Sequence, residues 1–131
     1  MNKFPDVVVG VVMAASAMVG PVLADSDGEN QPKFTKGKFA VPISYEDVKK
    51  DWTARGYSNP KVASYSEGWF RGDHTHPVSL IMTLVSGRME FIFAGERFVI
   101  APGDELLYSA HTVHSARNIF DGTTQMMESY K

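Results

Sequence analysis

The chain has 131 residues, 44% of them hydrophobic and 21% charged, the balance of a single ordinary globular domain. A formal charge of −2 gives neither a basic footprint for nucleic acid nor an acidic tail, which argues against nucleic-acid binding. There is no cysteine, so no disulfide can staple the fold, no thiolate can act as nucleophile, and any metal ligand must be nitrogen or oxygen.

The first stretch, MNKFPDVVVGVVMAASAMVGPVLADS, has the order of a secretory signal peptide. Lys3 marks a short n-region, an apolar run follows over residues 7–19, and Gly20-Pro21 breaks it. Val22-Leu23-Ala24 then supplies a small-residue cleavage pattern before the polar DSDGEN. The run is about thirteen residues long, short of the about twenty that a membrane-spanning helix needs. The pattern predicts a signal peptide over residues 1–24, cleavage after Ala24, and a periplasmic or secreted protein with no stable membrane association after cleavage.

Residues 25–42 open with DSDGENQPKFTKGK, rich in charge, Gly and Pro, and read as a flexible N-terminal arm. Residues 43–131 form the predicted domain. Its first element is a helix over residues 45–55. Ser44 with Asp47 resembles a capping box, Val48 and Trp52 share one face, and Gly56 supplies the stop. Trp52 is expected to lie against the body of the domain.

From Lys61 onward, short runs of Val, Ile, Phe, Tyr and Leu are broken by turn residues every eight to twelve positions. The breaks fall at Glu67-Gly68, Gly72-Asp73, Ser86-Gly87, Ala94-Gly95, Pro102-Gly103, around His111, and at Asp121-Gly122. This spacing signals an all-β sandwich or barrel. In RMEFIF, Met89, Phe91 and Phe93 alternate with Arg88 and Glu90, which predicts a half-buried strand with one wet face.

The four histidines form two pairs, His74 with His76 and His111 with His114. On an extended strand His74 and His76 point to the same side, because side chains alternate with period two. Two imidazoles can begin a metal site, and a third ligand is expected from the second pair.

The spacing carries a resemblance. Gly68, His74, His76 and Gly87 stand as G-x5-H-x-H-x10-G, and Gly103, Ser109, His111, His114 and Asn118 stand at the intervals of a second motif. Together these resemble the two signature motifs of the cupin superfamily, over roughly residues 64–120. The resemblance implies a single-domain jelly-roll β-barrel with a short N-terminal helix, and one divalent metal ion held by His74, His76 and His114. Three positions depart from the motifs. Leu80 stands where the family usually has a Glu ligand, and Ser109 and His111 stand for the usual Pro and Gly.

A ligand set of three neutral imidazoles leaves positions open, as a catalytic site requires, and accommodates Fe(II), Zn(II), Mn(II) or Ni(II). Its similarity to the ferrous sites of some dioxygenases in the superfamily implies Fe(II) as the favoured ion. His111 reads as a loop histidine, with a fourth ligand or an acid/base group as its alternatives. Tyr108 and Asn118 read as structural. Met82, Met89, Phe91 and Phe93 read as core residues that line the ion's pocket if they face inward. The function expected is an exported, metal-dependent, oxygenase-like enzyme acting on a small molecule, as a homodimer. The alternative is a non-catalytic cupin module that binds a small ligand or a metal.

Overall fold

The structure, a computed structural model, describes residues 31–131. The signal peptide expected over residues 1–24 lies outside the described residues. Residues 32–131 form one compact unit. Its elements in chain order are β1 (Lys33–Thr35), α1 (Tyr45–Ala54), β2 (Lys61–Tyr65), β3 (Phe70–His74), β4 (Leu80–Ser86), β5 (Met89–Phe93), β6 (Glu96–Ile100), β7 (Glu105–Tyr108), β8 (His114–Asn118) and β9 (Thr124–Tyr130).

The strands make two antiparallel sheets, one ordered β1-β7-β4-β9-β2 and the other β3-β8-β5-β6. This is the all-β architecture with one short helix that the sequence predicts. The core lies between the sheets, where Met82, Leu84 and Met126 of the first meet Met89, Phe91 and Phe93 of the second. A second apolar cluster lies on the far side of the five-stranded sheet, where Val48, Trp52 and Tyr57 cover Ile81 and Met127. β4 is therefore covered on both faces, which is why LIMTLV reads as a continuous apolar run rather than an alternation.

The helix follows its predicted caps. Ser44 Oγ accepts from the Asp47 backbone N–H at 3.2 Å, and Gly56 leaves the last turn at φ +93°. The tryptophan indole donates to Glu105 Oε2 at 3.1 Å, and Arg55 grips the same carboxylate with two nitrogens at 3.0 and 2.9 Å.

Three expectations need correction. Part of the arm drawn over residues 25–42 is structured: Lys33–Thr35 pairs with β7, and the Phe39 N–H donates to the Gly103 carbonyl at 3.0 Å. A three-residue edge strand is too short for a period-two signal, so composition alone read it as coil. Gly72-Asp73 is not a turn but lies within β3, at a register shift between Arg71 and His74. Glu90 lies on the wet face with exposed Arg88, Arg97, Val99 and Arg117 but is itself only 4% exposed, with Arg97 and Arg117 (at 2.8 Å) as ion-pair partners.

Candidate metal centre

Three segments bring the histidines together. His74 ends β3, His114 begins β8, and the two are direct partners across the ladder. The irregularity in β3 makes that pairing. Arg71 stands opposite Ala116, so an unbroken ladder would set Asp73, not His74, opposite His114. One extra residue moves His74 into register, the re-aiming that bulges beside functional sites perform. His76 lies two residues past the strand end rather than on an extended strand, and its carbonyl accepts from the His111 N–H at 2.8 Å.

The ring centroids of His74 and His114 are 4.3 Å apart, with His76 at 4.9 Å from the first and 5.2 Å from the second. Each ring offers one nitrogen, and the three lie within 4.8 Å of one another. Two of the rings are oriented by backbone carbonyls. His74 Nδ1 is 2.7 Å from the Gly72 oxygen, and His114 Nδ1 is 2.9 Å from the Thr112 oxygen. A carbonyl only accepts, so both Nδ1 atoms carry hydrogen, and in the neutral form of each ring Nε2 then presents its lone pair, the arrangement of metal-binding histidines.

Electrostatics agree with a ligand role. Burial pushes His114 down to about 4; its Nδ1 bond to Thr112 opposes this, while His74, His76 and Arg71 add to it. His76 is lowered first by burial, then by the charges of His74 and Arg71. Both imidazoles are thus neutral near neutral pH, the form that binds a cation.

The cluster opens on a cavity of about 190 Å³ between the sheets. Met82, Met89 and Phe91 form apolar wall, and Arg71 stands at the lining with its side chain exposed to solvent. Leu80, at the position where the family motif has Glu, lines the same cavity as the three histidines. Tyr108, 3% exposed, places its hydroxyl 3.0 Å from His114 Nε2. Its acidity is weakened above all by burial, with Glu128 and Tyr65 contributing.

Sequence reasoning missed two groups in this wall, Glu128 and Tyr65. Tyr65 donates a hydrogen bond to Glu128 Oε2, and burial raises the carboxyl above the usual carboxylate range against the opposing effects of that bond and of Lys61. The signal was the period of TQMMESY: Glu128 follows buried Met126 by two and so shares its inward face. Asn118 is structural, as expected. Its amide nitrogen is shared among the carbonyls of Tyr65, Ser66 and Gly122, and its oxygen accepts from the Phe120 N–H and Thr124 Oγ1.

His111 is not a member of the three-histidine cluster. It is exposed and holds a left-handed backbone, φ +66°. That conformation is the reason the motif position suits Gly.

Compared with protein-family models, residues 62–130 match the Cupin domain. The chain is a cupin. Among solved structures, this cupin is similar to a predicted oxalate decarboxylase from Thermotoga maritima, with 18% identity, 62% of this chain and 71% of that one covered, and a TM-score of 0.50. It is similar also to the DMSP lyase DddQ from Ruegeria pomeroyi DSS-3, with 22% identity, 56% and 37% coverage and a TM-score of 0.50. The Cnp3 cupin domain of Schizosaccharomyces pombe gives 11% identity, 55% and 53% coverage and a TM-score of 0.51. The match spans just over a third of the Ruegeria chain and about half of the yeast one. At these identities the likeness is one of fold. No curated protein matches the chain. With the family established, the three-histidine cluster could hold a divalent metal ion: its nitrogens converge, and backbone carbonyls orient two of the three rings from behind.

Proposed function

We propose that this cupin is an exported enzyme that uses Fe(II), held by His74, His76 and His114, to act with dioxygen on a small molecule. One observation carries the reading: three imidazoles without a carboxylate converge at the wall of a cavity of about 190 Å³. A bound ion there would supply Lewis acidity and, as Fe(II), positions for dioxygen beside a substrate that chelates through carbonyl or enolate oxygens. The protein's own groups do the rest. Carbonyls of Gly72 and Thr112 fix two ligand rings. Met82, Met89 and Phe91 keep one side of the substrate dry. Glu128, with the Tyr65 hydroxyl on it, can hold or release a proton, and Arg71 favours an anionic group near the opening. Fold neighbours named for different reactions, a decarboxylase and a lyase, give no choice between them, so the reaction is argued from the site.

The test is oxygen uptake by Fe(II)-loaded protein across a panel of small carbonyl, enol and catechol compounds, with the metal identified after gentle isolation. Metal-dependent uptake supports the enzyme. Ligand binding with no oxygen consumed across the panel would reassign the chain as a binding module.

Two further parts of the proposal concern the setting. The apolar run and Val22-Leu23-Ala24 support export, for which the intact mass from the native host should begin at Asp25. Edge strands such as β2, with Val62 exposed, support a homodimer, which light scattering checks directly.

A further inference from the structure

The bond between Tyr108 and His114 has a fixed direction. His114 Nδ1 is committed as donor to the Thr112 carbonyl, so Nε2 holds the lone pair and the Tyr108 hydroxyl donates to it over 3.0 Å. That lone pair is also the one His114 offers to an ion. It cannot serve both.

We propose that metal entry releases the Tyr108 hydroxyl from His114, and that the freed hydroxyl becomes the hydrogen-bond donor to an oxygen ligand bound beside the metal. The inference rests on the three-histidine metal reading. Tyr108 is 3% exposed, and His114 is its one hydrogen-bond partner among the described residues. A buried hydroxyl that loses its acceptor is driven to find another. The Phe93 ring, 5.0 Å from the Tyr108 ring between centroids, offers none. The hydroxyl already lies 3.0 Å from the nitrogen that an ion would take, so once displaced it would stand close to an oxygen ligand bound beside that ion. Tyr108 would thus weaken metal binding slightly while strengthening binding of the ligand that the metal presents. It is a positioning residue with two effects of opposite sign.

Those signs give the test. The full chain and its Tyr108→Phe variant are titrated with Co(II), followed by its visible absorption, and the Co(II)-loaded proteins are then titrated with acetate as a small oxygen-donor probe. Tyr108→Phe should bind Co(II) about fivefold more tightly and acetate about fivefold more weakly, the scale of one hydrogen bond. A merely structural role lowers both affinities or neither, and either result overturns the proposal. A second measurement needs no variant. Zn(II), itself colourless, should perturb the near-ultraviolet tyrosine absorption of the parent, and this signal should shrink in Tyr108→Phe. No perturbation means no release. Unchanged acetate binding with tightened Co(II) binding means the hydroxyl turns elsewhere, Glu128 on the same cavity wall being one candidate, and overturns the donor role. Failure of the parent to take up Co(II) or Zn(II) refutes the metal centre itself and with it this inference, and is told apart from the other failures by the first titration alone.

Discussion

The Tyr65 hydroxyl donates to the Glu128 carboxylate inside the cavity wall, and it is that carboxylate's one hydrogen-bond partner among the described residues. One donor does not replace the water that a carboxylate loses on burial, so the carboxyl stays raised above 4.5. An acid held in this way sits at a cost to the fold, as functional acids commonly do.

Because the folded chain holds this proton more firmly than the unfolded chain, Glu128 favours folding at low pH. That contribution is lost as pH rises from 4.5 through the higher folded value. Glu128→Gln keeps an oxygen for Tyr65 and cannot ionise. Its melting temperature should exceed that of the parent by a few degrees at pH 7, and the difference should close near pH 4. Melts in chelator-treated buffer check this. A gap of the same size at both pH values would mean that packing rather than ionisation separates the proteins.

His114 works in the opposite direction. Its folded value of about 4 lies below the ordinary 6.5, so between those values the unfolded chain binds more protons. The stability it contributes is present above 6.5, is lost as pH falls through this window, and is gone below about 4. A shift of this size corresponds to at most about 3 kcal/mol. Denaturation of metal-stripped protein between pH 4 and 7 should be steep for the parent and shallower for His114→Asn. Equal slopes would refute the assignment.

Much of this architecture was legible because it is local. Ser44, Val48, Trp52 and Gly56 mark the helix within thirteen residues, and the histidine spacing marks the site. What escaped depends on pairing between distant strands. Tyr65 and Glu128 meet because β2 lies against β9 at the sheet edge, and each alone looks like an ordinary strand residue. The register shift in β3 resembles a turn in sequence, since Gly72-Asp73 suits either, and only the Arg71–Ala116 and His74–His114 pairs distinguish them. Glu90 reads as exposed until Arg97 and Arg117, from two other strands, close over it.

The anchor under the helix should show a definite ranking. Glu105 is 2% exposed and is held by the Trp52 indole and the Arg55 guanidinium. Arg55→Met would leave that buried charge with the indole alone, at a cost of about 3 kcal/mol. Glu105→Gln removes the charge, keeps an acceptor for Trp52, and leaves Arg55 paired with Asp51, so it should cost only about 1 kcal/mol. Urea denaturation of the two variants gives the order, and a larger cost for Glu105→Gln would show that the helix is held by the ion pair rather than by avoidance of a stranded charge.

The metal site makes the sharpest demand on the sequence. His74, His76 and His114 each contribute one of the three nitrogens that converge among the described residues, so His→Ala at any of them should weaken binding of Zn(II) by more than about 100-fold. His111 stands outside the cluster in a left-handed turn. His111→Gly should therefore leave affinity within about threefold of the parent, and it should stabilise the chain by about 0.5 kcal/mol, because Gly adopts that backbone without the clash a Cβ meets. Leu80 tests the site from the other side. It lines the cavity where the family motif has Glu, so Leu80→Glu should add a charged oxygen donor and tighten Zn(II) binding roughly tenfold. In metal-stripped protein the same carboxylate replaces an apolar side chain in the cavity and is partly desolvated with no cation bound, and Leu80→Glu should melt lower than the parent at about pH 8. Competitive titration against a chromophoric chelator, paired with melts with and without Zn(II), reads both effects. If Leu80→Glu weakens Zn(II) binding, the side chain at this position does not reach the ion. If His111→Gly matches the loss seen in the three alanine variants, His111 belongs in the ligand set.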